Sequence, residues 1–169
     1  MNRPRLLIAG IGNIFLGDDA FGVEVVRRLA QRALPEEVKV VDFGIRGFDL
    51  AYALLDAYEA VILVDALPRG GPPGTLYVLE PEKDEWTETA APSMEMHRLD
   101  PIKVLRLATA MGGKIERLLV VGCEPSPFSD YEDMQTGLSA PVEAAVDETV
   151  ALLESLTERL LRGEALEVR

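Results

Sequence analysis

Short, β-branched apolar runs recur along this chain with stretches of helical period between them, an alternation that restricts the fold to an α/β sheet whose strands run mainly parallel. The runs lie at about 5–11, 38–42, 60–65, 75–79 and 117–122, with Val61-Ile62-Leu63-Val64 the plainest of them. Those between 5 and 65, and the run at 117–122, are apolar enough to be buried on both faces. A first helix is expected from near Ala20, with Val23, Val26, Ala30 and Leu34 on one face, and a second over about 47–57. A third should be capped by Asp100, carry Pro101 in its first turn and stop at Gly112-Gly113. The fourth should follow Ser139, with Val142, Val146, Val150, Leu153, Leu156 and Leu160 at helical spacing down to Gly163. The pattern calls for a three-layer sandwich: a twisted, mostly parallel central sheet of about five strands with helices on both faces.

At 169 residues the chain suits one domain, 1–169, and a protein of that size buries roughly 70% of the surface its unfolded chain exposes. Seventeen basic against 29 acidic residues give a net charge of -12, which repels a phosphate backbone or an anionic membrane surface. The one cysteine, Cys123, has no internal disulfide partner. The N-terminus lacks a signal-type region, and no apolar run approaches the ~20 residues that span a bilayer. A cytoplasmic, soluble protein is the expectation. Two long segments, 66–74 with 80–97 and then 123–138, lack periodic pattern, and long loops in a compact fold are usually functional.

The turn after the first strand, Gly10-Ile11-Gly12-Asn13-Ile14-Phe15-Leu16-Gly17-Asp18-Asp19, opens like a dinucleotide fingerprint. The third glycine of that fingerprint is Phe15 here, and two carboxylates stand where a pyrophosphate would meet the helix. A nucleotide-binding oxidoreductase using Gly10, Gly12 and Asp42 is the weaker reading, because the interval from Gly12 to Asp42 also exceeds the usual ~20 residues. Asp18 and Asp19 have a plain alternative role as helix-start acids. Asp65 ends an apolar strand, where open α/β sheets bind ligands, although a turn aspartate can stand there for no such reason. His97, the single histidine, precedes the Asp100-capped helix, and a lone loop histidine is more often plain surface. If Asp19, Asp65 and His97 converge on one sheet edge, two carboxylates, one imidazole and open positions suit a borderline divalent ion such as nickel or zinc. A cysteine protease pairing Cys123 with His97 is disfavoured, since a cysteine directly after an apolar strand is usually a small buried hydrophobe.

Several motifs, in order, resemble one family. Gly10-Ile11-Gly12-Asn13 with Asp18-Asp19 and Gly22, Asp42-Phe43-Gly44 with Gly47, Val64-Asp65-Ala66, His97, and Gly122-Cys123-Glu124-Pro125 with Gly137-Leu138-Ser139 are similar to the hydrogenase maturation endopeptidases. The resemblance covers nearly the whole chain. It implies a phosphorylase/hydrolase-like sandwich and a metal-binding set of Asp19, Asp65 and His97, with Asp19 where many members carry glutamate and Ala20 where a glycine is common. It also implies an aspartic-type endopeptidase that removes the C-terminal extension of a [NiFe] hydrogenase large-subunit precursor. Nickel would then arrive with the substrate and not reside in the enzyme, because two carboxylates and one imidazole form a thin site for a permanent metal. The expected enzyme is a monomer that binds neither nucleic acid nor membrane. A non-catalytic nickel chaperone using the same three ligands is the alternative. The loop at 42–47 is a candidate receiver of the substrate tail, and the acidic loop at 129–133 a candidate attractor of a basic extension.

Overall fold

A computed structural model describes residues 3–87, 100–127 and 137–166. Five strands form one mixed sheet: β1 (Leu6–Ile11), β2 (Val38–Gly44), β3 (Ala60–Ala66), β4 (Leu76–Leu79) and β5 (Arg117–Cys123), in spatial order β2-β1-β3-β5-β4. β2, β1, β3 and β5 run parallel, and β4 closes one edge antiparallel to β5. The parallel order follows from the helices between strands: α1 (Phe21–Leu29), α2 (Gly47–Ala53) and the pair α3 (Lys83–Thr87) and α4 (Pro101–Ala110) all lie between strands in sequence, and α5 (Ala140–Leu161) closes the chain. β4 needs no helix to reach it, because a loop over the end of β5 returns the chain in the opposite direction.

Period-two alternation divides the core in two. Leu6, Ile8, Ile62, Val64, Val121 and their strand neighbours face α1 and α5. Leu7, Ala9, Val61, Leu63 and Leu118 face α2, α3 and α4. Every residue of β1 is buried, as is the run Ala60–Val64 of β3, which is what a strand covered by helices on both sides requires.

The expected strands and the four expected helices are all present, with three differences. β2 forms the sheet edge and is only half-buried, apart from buried Phe43 and exposed Lys39; an edge strand has one neighbour instead of two. α1 ends at Leu29, leaving Ala30 exposed, and Leu34 reaches the first core from the following loop. α2 stops at Ala53 because its last carbonyls, on Tyr52 and Ala53, are taken by the tighter bonds from Leu55 and Asp56. Asp100 does cap α4, its Oδ1 accepting the Ile102 N–H at 3.0 Å. The short helix α3 was not expected; Trp86 anchors it in the second core.

Candidate functional site: a two-carboxylate cleft at the strand ends

Between β1 and β3 the connections diverge, the chain leaving β1 through α1 on one face and entering β3 from α2 on the other. A sheet opens a crevice at such a switch point, beyond the carboxyl ends of its strands. Here the crevice is a cavity of about 760 Å³, and Gly12, Asp19, Ile45, Asp65, Glu124 and Ser126 are among its lining residues. Asp19 and Asp65, separated by more than forty residues in sequence, therefore share one cleft.

The glycines of the first turn serve packing. A Cβ on Gly10 would lie 2.3 Å from a Val26 methyl, one on Gly12 1.8 Å from the Asp19 carbonyl oxygen, and one on Gly22 2.0 Å from the Val64 carbonyl oxygen. α1 thus lies directly on β1 and β3, and the turn is pressed against the start of the helix. Several N–H groups of the turn are already committed. Gly12 donates to the Gly44 carbonyl, Asn13 to Asp19 Oδ2, Phe15 to the Asn13 side chain and Leu16 to the Asn13 carbonyl. A pyrophosphate would meet a turn pressed against the helix start, with these donors committed and the Asp18 and Asp19 carboxylates beside it, so the nucleotide reading is set aside.

Neither acid of the pair caps α1. A 3₁₀ turn over Gly17–Ala20 precedes that helix and carries no side-chain cap, and the N-cap Ala20 supplies none. Asp18 turns inward, with 7% of its surface exposed, and accepts Ser126 N at 2.9 Å, Ser139 N at 2.7 Å and Ser139 Oγ at 2.8 Å. It ties the first turn to the loop after β5 and to the start of α5, where the helix dipole favours a negative charge. Asp19 turns to the cleft and holds back the turn that precedes it, its Oδ2 accepting Asn13 N at 2.8 Å.

Asp65 lies at the end of β3 with Oδ1 accepting the Ala66 N–H at 2.8 Å. Burial pushes its carboxyl well above the usual carboxylate range, the charge of Asp19 adds to that, and the Ala66 N–H opposes them. Burial and the charge of Asp19 thus both oppose ionisation of Asp65, a combination common at functional sites. His97 lies outside the described residues. Among the described residues no three His, Cys, Asp or Glu side chains gather as a metal-binding group. The acidic loop at 129–133 also lies outside them.

Glu124 has a structural role that its place in the sequence did not announce. Its carboxylate accepts Arg69 N at 2.7 Å, Gly70 N at 2.9 Å and the Tyr77 hydroxyl at 2.9 Å, while Gly74 donates to its carbonyl and its own N–H donates to the Thr75 carbonyl. Burial works to raise its carboxyl, but the bonds from Arg69, Tyr77, Gly70 and Gly71 together hold it below the usual value. One residue so fixes the wall that Pro68, Gly70, Gly71 and Pro73 give the cleft. The available signal was positional: an acid just past the end of a buried strand, as Asp65 is at the end of its own. On the other side, Gly44 takes a positive φ of 55° and brings Ile45 to the cleft, while Arg46 donates to the Phe43 and Asp42 carbonyls and so braces the turn of the expected receiving loop.

Cys123 is fully buried in the first core, and burial, followed by the charges of Asp18 and Glu124, pushes its thiol up to about 11. It is a thiol and not a thiolate at neutral pH, unsuited to nucleophilic catalysis.

The fold and site are those of an α/β sheet with two carboxylates in its switch-point cleft. The family described as HycI, hydrogenase maturation protease, matches residues 23–156. The chain is 32% identical over 164 residues to the hydrogenase expression/formation protein HupD of Rhodobacter capsulatus, covering 96% of this chain and 77% of that one. Its fold is similar to the hydrogenase maturating endopeptidase HybD of Escherichia coli, with a TM-score of 0.71, 25% identity and coverage of 92% and 93% of the two chains. It is also similar to the hydrogenase 2 maturation peptidase of a Thaumarchaeota archaeon, with a TM-score of 0.66, 32% identity and coverage of 90% and 97%. The chain belongs to the hydrogenase maturation protease family and, with it, to the hydrolases that act as endopeptidases. Among the described residues no helix is long and apolar enough to cross a membrane.

Proposed function

We propose that this protein cuts the C-terminal extension from a [NiFe] hydrogenase large-subunit precursor that already holds nickel, and that Asp19, Asp65 and His97 recognise that nickel. The observation that carries the reading is the placement of Asp19 and Asp65 in one cleft, with Asp65 strained toward its neutral form by burial and by its neighbour's charge. A divalent cation between the two would turn their repulsion into a shared attraction. The donor set fits a borderline ion still held by thiolates of the substrate: one oxygen of each acid is fixed by a backbone N–H, and the set is too small to coordinate a metal fully. Nickel is then part of what is recognised, and cleavage depends on its presence.

In the chemistry we favour, a carboxylate of the cleft takes a proton from water as the water oxygen attacks the scissile carbonyl carbon. The same carboxyl returns the proton to the leaving amide nitrogen as the C–N bond breaks. The products are a new carboxylate on the mature subunit and a free amine on the released peptide. The reading includes a cytoplasmic monomer with no metal of its own, open to check by light scattering and by metal analysis of the purified protein.

The test is the mass of the precursor after incubation with the protein. Loss of a C-terminal peptide from the nickel-loaded precursor, with the nickel-free precursor left whole, is the expected result. Binding without any change in mass would convert the protein into a nickel-dependent chaperone. Equal cutting of both precursors would end the proposal of nickel recognition.

A further inference from the structure

The outer side of α2 carries apolar residues that the fold does not use. Leu50 and Ala51 of α2 and Leu54 just after it are buried against the sheet, while Phe48 and Tyr52 of α2 and Leu55, two residues past its end, are 60%, 63% and 37% exposed at helical spacing. The strip does not end at the helix. Ile45, just before it, is 61% exposed and also lines the cleft, and the Gly12 N–H to Gly44 carbonyl bond joins this turn to the loop that carries Phe15, itself 64% exposed. Single exposed apolar side chains are ordinary on a protein surface, but Ile45, Phe48, Tyr52 and Leu55 exposed to this extent sum to on the order of 400 Å², within the range of surface patches that often bind something.

Charge near the strip is internally balanced. Arg46 pairs with Asp49 at 3.2 Å and is further bound to the carbonyls of Phe43 and Asp42. On a chain of net charge -12, the charges of Arg46 and Asp49 beside this stretch answer one another.

We propose that Ile45, Phe48, Tyr52 and Leu55 form a docking strip for an apolar surface segment of the protein substrate, away from the peptide bond that is cut. The proposal rests on the reading of the cleft as the cutting site, because Ile45 belongs to both surfaces and makes them continuous. A substrate seated on the strip is delivered to Asp19 and Asp65 along the same side of the sheet edge. The strip would set affinity for the folded precursor and leave the chemical step alone.

The experiment compares wild-type protein with Phe48→Ser/Tyr52→Ser and with Phe48→Leu/Tyr52→Phe, which keeps the surface apolar. Binding to the nickel-loaded large-subunit precursor is measured by biolayer interferometry, cleavage by steady-state kinetics and the size of the free enzyme by light scattering. The serine pair should weaken binding and raise KM by about tenfold or more with kcat unchanged, and the apolar pair should restore both. Equal binding by all three proteins overturns the proposal. So does a wild-type dimer that the serine pair dissociates, since the occupant is then a second copy of this chain. Wild-type binding without cleavage would defeat the assigned activity while the strip's share of the affinity is still read; no wild-type binding at all defeats the strip.

Discussion

Asp18 and Asp19 are adjacent in the chain and end in regions of opposite character. Asp18 sits under the start of α5, where three donors from Ser126 and Ser139 satisfy its carboxylate. Asp19 opens onto a cleft in which the nearby acid, Asp65, is penalised for ionising. The first region has the pattern of a carboxylate that holds a fold together, with its charge fully answered by local donors. The second is the one we propose is kept for a ligand, since the burial and neighbouring charge that oppose ionisation of Asp65 are relieved when something positive or protic joins the pair.

Substitutions should separate the two regions, beginning with the strongest effect. Asp65→Ala or Asp19→Ala should lower the cleavage rate by roughly a thousandfold while the protein stays folded, read by precursor mass and circular dichroism. Asp18→Ala should show the reverse, a loss of about 3 kcal/mol in denaturant unfolding with near-normal turnover per folded molecule, because its buried donors lose their acceptor. If Asp18→Ala were stable but inactive, the division between the two regions would fail.

Effects at the cleft wall should be smaller. Glu124→Gln should reduce kcat/KM roughly tenfold, the value of about one charge-assisted bond to the loop backbone, and should loosen that loop in hydrogen exchange. Stability should also expose the strain on Asp65. Its folded carboxyl keeps a proton to higher pH than the unfolded one, so its contribution is complete at low pH and is lost as pH rises through the folded value. Asp65→Asn should therefore melt higher than wild type near neutral pH, with the advantage closing as pH falls to about 4, though it no longer cleaves. Cys123→Ala should change least, cutting within a factor of about three of wild type at a cost of about 1 kcal/mol in stability.

Much of this could be read from residues. The strands were legible because buried parallel strands must be apolar throughout, and Asp100, Pro101 and Pro141 mark helix starts by their own backbone chemistry. Asp65 was legible because an acid closing a buried strand has to face the sheet edge. Asp19 was set apart from Asp18 only by the family resemblance, and the structural role of Asp18 was not legible, since its partners, Ser126 and Ser139, lie 108 and 121 residues further on. Helix α3 escaped for a different reason: it has five residues and one anchor, Trp86, too short for a period to register. The glycines of the first turn were visible, but their purpose was not, because close contact between α1 and the strands is a property of the packed sheet.

Whether the substrate's nickel meets the cleft acids can be seen at the metal itself. X-ray absorption at the nickel edge should be recorded on the nickel-loaded precursor alone, with wild-type protein held on ice before cleavage, and with Asp19→Ala/Asp65→Ala. Oxygen and nitrogen neighbours joining the sulfur shell in the wild-type complex, and missing with the double variant, is the result this account requires. A nickel environment unchanged by the wild-type protein, in a mixture shown to have formed the complex, would contradict it.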